Sequence, residues 1–285
     1  MSIRNAKQII KAIAVSEGAG VTVHRTIGTP ALRHLDPFLM LDFFSSDDPD
    51  DYIAGFPNHP HRGFNTFTYM LNGHMLHEDS MGNRGDLQSG GAQWMKAASG
   101  VIHSEMPQQT AGLMRGFQLW INLPASQKMS APGYQEFRPE AIPVQKTADS
   151  TIKVLIGEYG GVKGPVDDPY TQVQYFDVEL AAGKTFHHAL PNELQGFIYV
   201  FDGNATMAGT ELPQHTFAVL GVGDTLEVSA ADTGARFILV AGKPIGEAIV
   251  QYGPFVMNSQ QEIQQAFADF RDGTLVRDKA SFIHA

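Results

Sequence analysis

The chain has 285 residues, a formal net charge of −10 and no cysteine. The lack of thiols excludes disulfide bonds, zinc sites with thiolate ligands and cysteine nucleophiles. The 20 Lys and Arg residues form no basic cluster, which argues against direct nucleic-acid binding but leaves a protein partner open. No stretch is long and apolar enough for a signal peptide or a membrane span, so we expect a cytoplasmic protein without membrane contact.

Short strands with alternating side chains are predicted along most of the chain. Residues Phe64 to Leu71 are rich in β-branched and aromatic side chains. Asn72-Gly73 then predicts a hairpin turn, with a returning strand from His74 to Asp79. Short strands at regular spacing, together with 29 Gly and 16 Pro, indicate an all-β barrel or sandwich. Further strands are predicted at 93–97, 101–105, 116–122, 152–156, 173–180, 196–201, 216–220, 225–228 and 236–241.

Two domains of similar kind are predicted. Strand patterning lapses near the middle of the chain, where prolines are frequent, so we place a linker at residues 131–147. The linker separates an N-terminal domain, residues 1–130, from a C-terminal domain, residues 148–285. A second hairpin signal at Asp202-Gly203 repeats the one in the first half and indicates a weak internal duplication.

One helix is predicted near the C-terminal end. Ser259 and Glu262 have the spacing of a capping box, in which side chains satisfy free N–H groups at a helix start. Gly273 is placed to end the helix. We expect the apolar face of this helix to pack against a barrel. The residues that share this face are Ile263, Ala266, Phe267 and Phe270.

Two short segments carry metal-ligating side chains at strand spacing. Residues i and i+2 of a strand point to the same face, so His59 and His61 can project together, as can His103 and Glu105. A single HxH pair also occurs in ordinary polar loops, but two same-face pairs in one predicted barrel favour a metal site. The other histidines are assigned no metal; apart from His77, considered next, they are His24, His34, His74, His187, His188, His215 and His284.

Three imidazoles and one carboxylate without sulfur suit iron, manganese, copper, nickel or zinc. A six-coordinate ion held this way keeps two positions open for substrate and for oxygen or water. One carboxylate leaves a divalent ion with about one net positive charge, which would attract an anionic oxygen such as a phenolate. No metal is expected in the second domain, because adjacent residues such as His187 and His188 face opposite sides of a strand.

For several other side chains near this site, we consider two interpretations each. His77, Glu78 and Asp79 follow the predicted turn, and we favour an exposed hairpin over a position at the site. The acidic run Asp47–Asp51 is read as a solvated loop rather than a loop over the pocket. Pocket lining and core packing are both open for Gln118, Trp120 and Asn122. An apolar pocket wall could come from Phe64, Phe67, Tyr69 and Met106, but we expect most of these four to be core residues.

Nearly the whole chain resembles one protein family, the pirins. The spacing of His59, His61 and His103 is similar to that of the two cupin motifs. The longer segments that resemble pirins are Asp36–Phe44, Gly55–Leu71, His77–Asp86, Gln93–Pro107, Gly116–Pro124, Lys128–Gln135 and Ala241–Phe270.

The resemblance implies a fold of two cupin barrels of jelly-roll type with a C-terminal helix. It implies one ion in the N-terminal barrel, most often Fe(II), although Mn, Ni, Cu, Zn or another divalent ion can take its place. The ligands implied are His59, His61, His103 and Glu105, the same four that the spacing selects.

Some pirins have quercetin 2,3-dioxygenase activity, and eukaryotic members are described as transcriptional co-regulators. The first hypothesis is therefore an Fe(II)-dependent dioxygenase that cleaves a small aromatic substrate such as a flavonol, with Glu105 as general base. The second is a metal-containing regulator that acts through a protein partner without significant turnover. A third is a zinc-type hydrolase.

One residue departs from the family pattern. Where pirins commonly have Glu after Arg-Gly-Phe, this chain has Asn65. The pirin carboxylate ligand comes from the position of Glu105, so Asn65 need not abolish metal binding. We expect it to remove a charge close to the site.

Overall fold

A computed structural model of the chain describes residues 2–277. The last of the predicted ordinary histidines, His284, lies outside them. Strands dominate the described part, as predicted, and the helix near the C-terminal end is present. None of the helices in this part is long and apolar enough to cross a membrane.

The elements are numbered in chain order. The strands up to residue 140 are β1 Ala6–Lys11, β2 Ile13–Glu17, β3 Val21–Arg25, β4 Phe38–Ser46, β5 Phe56–His61, β6 Phe64–Asn72, β7 His74–Asp79, β8 Arg84–Gln88, β9 Ala92–Lys96, β10 Val101–Pro107, β11 Met114–Asn122 and β12 Gly133–Phe137. The later strands are β13 Val144–Lys146, β14 Ser150–Ile156, β15 Glu158–Tyr159, β16 Val162–Lys163, β17 Gln174–Leu180, β18 Thr185–Ala189, β19 Gln195–Met207, β20 Thr210–Leu212, β21 Thr216–Leu220, β22 Thr225–Gly242, β23 Val250–Tyr252 and β24 Phe255–Met257. The helices are α1 Ala125–Lys128 and α2 Gln260–Arg271, and single 3₁₀ turns lie at Pro49–Asp51 and Pro139–Ala141.

The chain forms two compact units, and neither is continuous in sequence. The N-terminal barrel contains Ala14–Gly28, Phe38–Glu140 and, of the described residues, 245–277. The C-terminal barrel contains Met1–Ile13, Thr29–Pro37 and Ala141–Pro244. This division differs from the contiguous domains expected from the sequence, because strand pairing recruits the first residues to the later barrel and the last elements to the earlier one.

The N-terminal barrel is built from two antiparallel sheets. One has the strand order β12-β9-β6-β11-β4-β3-β2, and the other has the order β5-β10-β7-β8. Apolar side chains from both sheets meet in one cluster, which includes Val23, Phe44, Met70, Met75 and Leu87. The β23–β24 hairpin joins this unit through a bridge between Arg62 and Phe255.

The C-terminal barrel is built on a nine-stranded sheet. Its main strand order is β1-β21-β19-β22-β17-β14-β13, with β18 added on β22 and β20 on β19. The interior is one large cluster of Ile, Val, Leu, Phe, Ala and Met side chains. Burial of so much apolar surface provides the main stabilisation of this unit.

Both predicted hairpin turns are wrong. The strands on either side of Asn72-Gly73, β6 and β7, belong to different sheets, so this turn carries the chain from one sheet to the other. Asp202-Gly203 lies within β19, where the register shifts and Gly203 has a φ of +67°. Both dipeptides provide the positive φ that a turn or a bulge needs, but this local preference does not identify which strands pair.

The predicted linker holds ordered elements of both units. Strand β12 pairs with β9 in the N-terminal barrel, and β13 pairs with β14 in the C-terminal barrel. The compact units divide between Glu140 and Ala141, within a single 3₁₀ turn.

Helix α2 begins and ends as the sequence indicates, but only half of its predicted apolar face is buried. The Ser259 side chain accepts a hydrogen bond from the N–H of Glu262, as a capping box requires. Ile263 and Ala266 are buried, whereas Phe267 and Phe270 are about 40% exposed. The third buried residue of the helix is Asp269, which was not predicted.

Candidate metal centre

Antiparallel pairing of β5 and β10 brings the two ligand-bearing segments together. His103 lies directly opposite His59 in the register of these strands. A register shift follows between His103 and Glu105, so Glu105 lies opposite Phe56. On the other side of β10, β7 places His77 opposite Glu105. The site therefore forms on the four-stranded sheet, with β10 at its centre.

Three of the four predicted ligands form one close group. Ring nitrogens of His59, His61 and His103 lie within 4.8 Å of one another. The ring centroids are 4.3 Å apart for His59 and His103, 4.7 Å for His59 and His61, and 5.0 Å for His61 and His103. His61 and His103 are buried and His59 is partly exposed. His59 is therefore the most solvent-accessible ring of the group.

The ring nitrogens of this group have the pattern expected of metal ligands. His59 Nδ1 lies 2.8 Å from the carbonyl oxygen of Pro57, so that nitrogen carries the proton and Nε2 has the lone pair. His61 forms a backbone hydrogen bond with Pro254, while its Nδ1 is buried without a partner. The Nε2 atom of His103 is also buried without a partner. A divalent ion would satisfy these nitrogens, and their number and type fit one.

The buried rings are neutral. Burial, followed by the neighbouring His59, lowers the pKa of His61 well below its ordinary value. Burial also lowers the pKa of His103, with smaller effects from the surrounding histidines. A neutral imidazole keeps the lone pair that a metal ion needs.

Glu105 is buried next to this group but belongs to a second one. Its carboxylate lies within 4.8 Å of ring nitrogens of His77 and His103, and these three side chains form the second close group. Oε1 of Glu105 accepts a hydrogen bond of 3.3 Å from the Thr68 hydroxyl. Thr68 also contacts the side-chain oxygen of Gln118. The carboxylate is thus placed between the histidines and a polar wall.

His77 is not exposed, so the favoured prediction for it is wrong. Its ring is 1% exposed and stacks on Tyr134, with centroids 4.3 Å apart and an interplanar angle of 17°. The Asp79 side chain is fully buried and lies 3.4 Å from His77 Nε2. Burial acts to raise the pKa of Asp79, but hydrogen bonds from His77 and Asn83 outweigh it and lower the pKa. Glu78 alone is exposed as predicted.

A cavity of about 640 Å³ opens next to the histidines, within the N-terminal barrel. Gln118 and Trp120 line it, whereas Asn122 does not and instead accepts a hydrogen bond from Lys128. Phe64, Phe67 and Tyr69 are fully buried core residues, as expected for most of the candidate wall residues. The apolar side chains that line the cavity are Val23, Met40, Phe44, Phe56, Met75 and Trp120.

One wall of the cavity carries an ion-pair cluster that the sequence interpretation missed. Arg25 donates to both carboxylate oxygens of Asp42, at 2.8 and 2.6 Å, and lies 2.7 Å from Glu17. Burial acts to lower the pKa of Arg25, but its two acidic partners outweigh burial and raise the pKa. The signal was a single charged residue, Asp42, inside the apolar strand β4. With Glu105, three carboxylates and one guanidinium line the cavity.

Buried charges behind the site hold the residues that follow His61. The Arg62 guanidinium pairs with Asp269 at 2.7 Å and donates to the carbonyls of Ser99 and Leu275. Lys128 donates to three neutral oxygens, including the carbonyl of Gly63 at 2.8 Å. Burial lowers the pKa of Lys128 to about 8.

Asn65 lies away from the cavity. Residues of β6 alternate between faces, and Thr68 lines the cavity while Asn65 has the opposite parity. The Asn65 side chain is buried, and its Oδ1 has no hydrogen-bond partner. Asn65 therefore does not face the cavity, and its effect on the metal site stays a prediction.

Within residues 2–277, both close groups of metal-ligating side chains lie in the N-terminal barrel. In the C-terminal barrel, His188 hydrogen bonds to Gln174 at 2.7 Å, and burial lowers its pKa to about 4. Its neighbour His187 points the other way, is largely exposed and pairs with Glu227. The acidic run Asp47–Asp51 forms a turn in which Asp47, Asp48 and Asp50 are exposed, while the partly buried Asp51 accepts a hydrogen bond from Ser46 at 2.6 Å.

Comparison with known proteins places these two barrels in a family. Residues 20–121 match the family model described as pirin, and residues 175–276 match the pirin C-terminal cupin domain. The chain is 49% identical over 268 residues to a Pseudomonas aeruginosa protein provisionally named as a quercetin 2,3-dioxygenase, covering 91% of this chain and 94% of the relative.

Two solved structures have the same fold. One is a quercetin 2,3-dioxygenase from Acinetobacter baumannii, with a TM-score of 0.89, 30% identity and coverage of 96% of this chain and 99% of the other. The second is a bacterial pirin from Escherichia coli in complex with nickel(II), with a TM-score of 0.65, 20% identity and coverage of 83% and 98%. The predicted fold of two cupin domains with a C-terminal helix is confirmed, and the chain belongs to the pirin family.

Proposed function

We propose that this chain binds one divalent metal ion through His59, His61, His103 and Glu105 and oxidises a small aromatic substrate of the flavonol class. Fe(II) is the ion we favour. The observation that carries the proposal is the convergence of three neutral imidazoles on one point at the edge of a cavity of about 640 Å³. Donors of this type suit iron, manganese, nickel, copper and zinc.

The cavity is suited to an aromatic molecule. Small-molecule sites in proteins have volumes of roughly 300–1,000 Å³ and are mostly apolar with a few polar groups. Here Phe44, Phe56 and Trp120 provide flat apolar surfaces, and Gln118 and Arg25 provide hydrogen-bonding groups. The names of the relatives, which refer to quercetin 2,3-dioxygenase, support the same substrate class.

Bound Fe(II) would supply Lewis acidity and redox chemistry with dioxygen. The protein's own contribution is to bind the substrate, exclude water and move a proton. Glu105 is placed to accept the proton of a phenolic hydroxyl that enters beside the histidines. The Thr68 hydroxyl lies 3.3 Å from the Glu105 carboxylate, and apolar side chains of the cavity would surround the bound aromatic ring.

Metal analysis of the protein as isolated, followed by oxygen-uptake assays on flavonols and simpler catechols, tests the proposal. We expect about one ion per chain, and oxygen consumption with carbon monoxide release from quercetin by the iron-loaded protein. His61→Ala and His103→Ala should lose both the ion and the activity. His74→Ala, at a partly exposed histidine that pairs with Asp86, is the matched control and should keep both.

Two results would contradict parts of the proposal separately. One bound ion with no consumption of quercetin or oxygen would leave the metal site standing and favour a regulator that acts through a protein partner. Activity with zinc and none with iron under air would favour a hydrolase. Retention of the ion by both histidine variants would remove the basis of the proposed site.

A further inference from the structure

Two buried side chains beyond the proposed ligands extend from His103 into the protein. His103 Nδ1 lies 3.4 Å from Nδ1 of His77, and His77 Nε2 lies 3.4 Å from Oδ2 of Asp79. The exposed fractions are 1% for both histidines and zero for the Asp79 side chain. Strand pairing fixes this order, because β7 runs beside β10 with Asp79 opposite His103.

Asp79, the last of these three side chains, can only accept hydrogen bonds. Its Oδ1 accepts from the backbone N–H groups of Met81 and Asn83, at 2.9 and 3.0 Å. Its Oδ2 accepts from the Asn83 side-chain amide at 2.8 Å and faces His77 Nε2. An ionised carboxylate has no proton to donate, so His77 must present its Nε2–H to it.

The hydrogen bonding of the Asp79 carboxylate determines which nitrogen of His77 and of His103 carries the proton. A His77 ring that carries a single proton, on Nε2, has its lone pair on Nδ1. That lone pair faces Nδ1 of His103, which therefore carries the proton and donates. His103 is left with its lone pair on Nε2, the buried atom that has no partner in the protein.

We propose that His77 and Asp79 form a buried relay that fixes the tautomer and ring orientation of His103, which makes His77 a positioning residue of the metal centre. This inference rests on the proposed metal-binding function. Outer hydrogen-bond partners of ligating histidines typically change metal affinity 10- to 100-fold when they are removed.

The ring of His77 is also held in place from its face. Tyr134 stacks on it, and the Tyr134 hydroxyl donates to Glu136 at 2.9 Å. Gly85 makes this arrangement possible, because a Cβ atom there would lie 1.7 Å from the Tyr134 hydroxyl oxygen. The relay therefore has support from β8 and β12 as well as from its own strand.

Isotope-edited NMR of the histidine side chains in metal-free protein is the first test. We expect His103 with a protonated Nδ1 and a bare Nε2. Asp79→Asn should invert the relay, because its amide donates to His77 and so moves the lone pair of that ring to Nε2. His77→Phe keeps an aromatic ring but removes the relay. Asp86→Asn changes a more exposed His–Asp pair, between His74 of β7 and Asp86 of β8, and serves as the matched control.

Nickel(II) affinity, measured by competition with a chelating dye, is the second readout. Asp79→Asn and His77→Phe should weaken nickel binding roughly 10- to 100-fold, and Asp86→Asn should not change it. His77→Gln should restore part of the affinity, because glutamine has both an acceptor and a donor. Cooperative unfolding of each variant is checked first, and the isosteric Asp79→Asn variant carries the test if His77→Phe does not fold.

Three outcomes would overturn the relay. The first is a His103 ring with its proton on Nε2 in the wild-type protein. The second is unchanged tautomer and affinity in both Asp79→Asn and His77→Phe. The third is two nickel ions per chain that fall to one in His77→Phe, which would make His77 a ligand. The NMR test needs neither metal nor substrate, so a lack of flavonol turnover would contradict the proposed function and leave the relay intact.

Discussion

Replacing Asp269 by Asn should destabilise the N-terminal barrel strongly. The change keeps the shape of the side chain but removes the carboxylate that pairs with the Arg62 guanidinium at 2.7 Å. The Arg62 side chain is 1% exposed, and its remaining partners there are the neutral carbonyls of Ser99 and Leu275. Burial already lowers the pKa of Arg62 with Asp269 in place, so the charge depends on its partner.

Leaving one member of a buried ion pair without the other costs about 3–5 kcal/mol. We expect Asp269→Asn to lower the free energy of unfolding by that amount. Arg277→Met is the matched control, because Arg277 also lies 2.7 Å from Asp269 but its side chain is 48% exposed. Exposed ion pairs contribute about 0–1 kcal/mol, so the control should change little.

Urea unfolding followed by tryptophan fluorescence measures this loss of stability in the N-terminal barrel. The chain has two tryptophans, and both Trp94 and Trp120 belong to the N-terminal barrel. The fluorescence transition therefore reports that barrel. A loss below about 1 kcal/mol for Asp269→Asn, or a loss equal to that of Arg277→Met, would refute the reasoning.

Three further predictions use the same unfolding assay or the same fluorescence. Gly82→Ala should lower the free energy of unfolding by roughly 1–2 kcal/mol, because Gly82 has a positive φ and a Cβ there would meet no other atom. Gly63→Ala should lower it by at least twice as much, because Gly63 also has a positive φ and its Cβ would lie 1.9 Å from a backbone oxygen. Burial lowers the pKa of Lys128 from 10.5 to about 8, so the unfolded chain binds more protons than the folded chain between those pH values, and the free energy of unfolding should rise with pH across them. Relative to Lys128→Met, this gain should reach about 3 kcal/mol. A difference between the two proteins that does not change with pH would contradict the prediction. Nickel(II) should quench the fluorescence of Trp120, because the ring of Trp120 lies 5.1 Å from that of His61. Trp120→Phe should abolish most of the quenching. Equal quenching in both proteins would place the ion elsewhere.

The part of the site that lies on one strand could be predicted from the sequence. Alternation along β5 places His59 and His61 close together, and the second segment contributes His103 from the neighbouring strand. The helix start could also be predicted, because the capping box involves only residues close in sequence, Ser259 and Glu262. That all four predicted ligands hold one ion stays a prediction.

The features that the sequence did not reveal depend on distant pairing. The Asn72-Gly73 turn has hairpin chemistry, but β6 finds its partners in β9 and β11. The burial of His77 requires Tyr134, which comes from another sheet more than 50 residues later. The cavity cluster of Arg25 and Asp42 requires pairing of β3 with β4. Local patterns cannot identify which distant strand covers a given side chain.

The exchange of terminal segments between the two units has a practical consequence for dissection of this protein. A fragment cut near residue 140 would carry strand β1, which the later barrel needs, but would lack β23, β24 and α2. The complementary fragment would have the reverse deficit and would also take Asp269 away from Arg62. We therefore expect neither half to fold when expressed alone, and we expect the two co-expressed fragments to reconstitute a split protein through their exchanged segments.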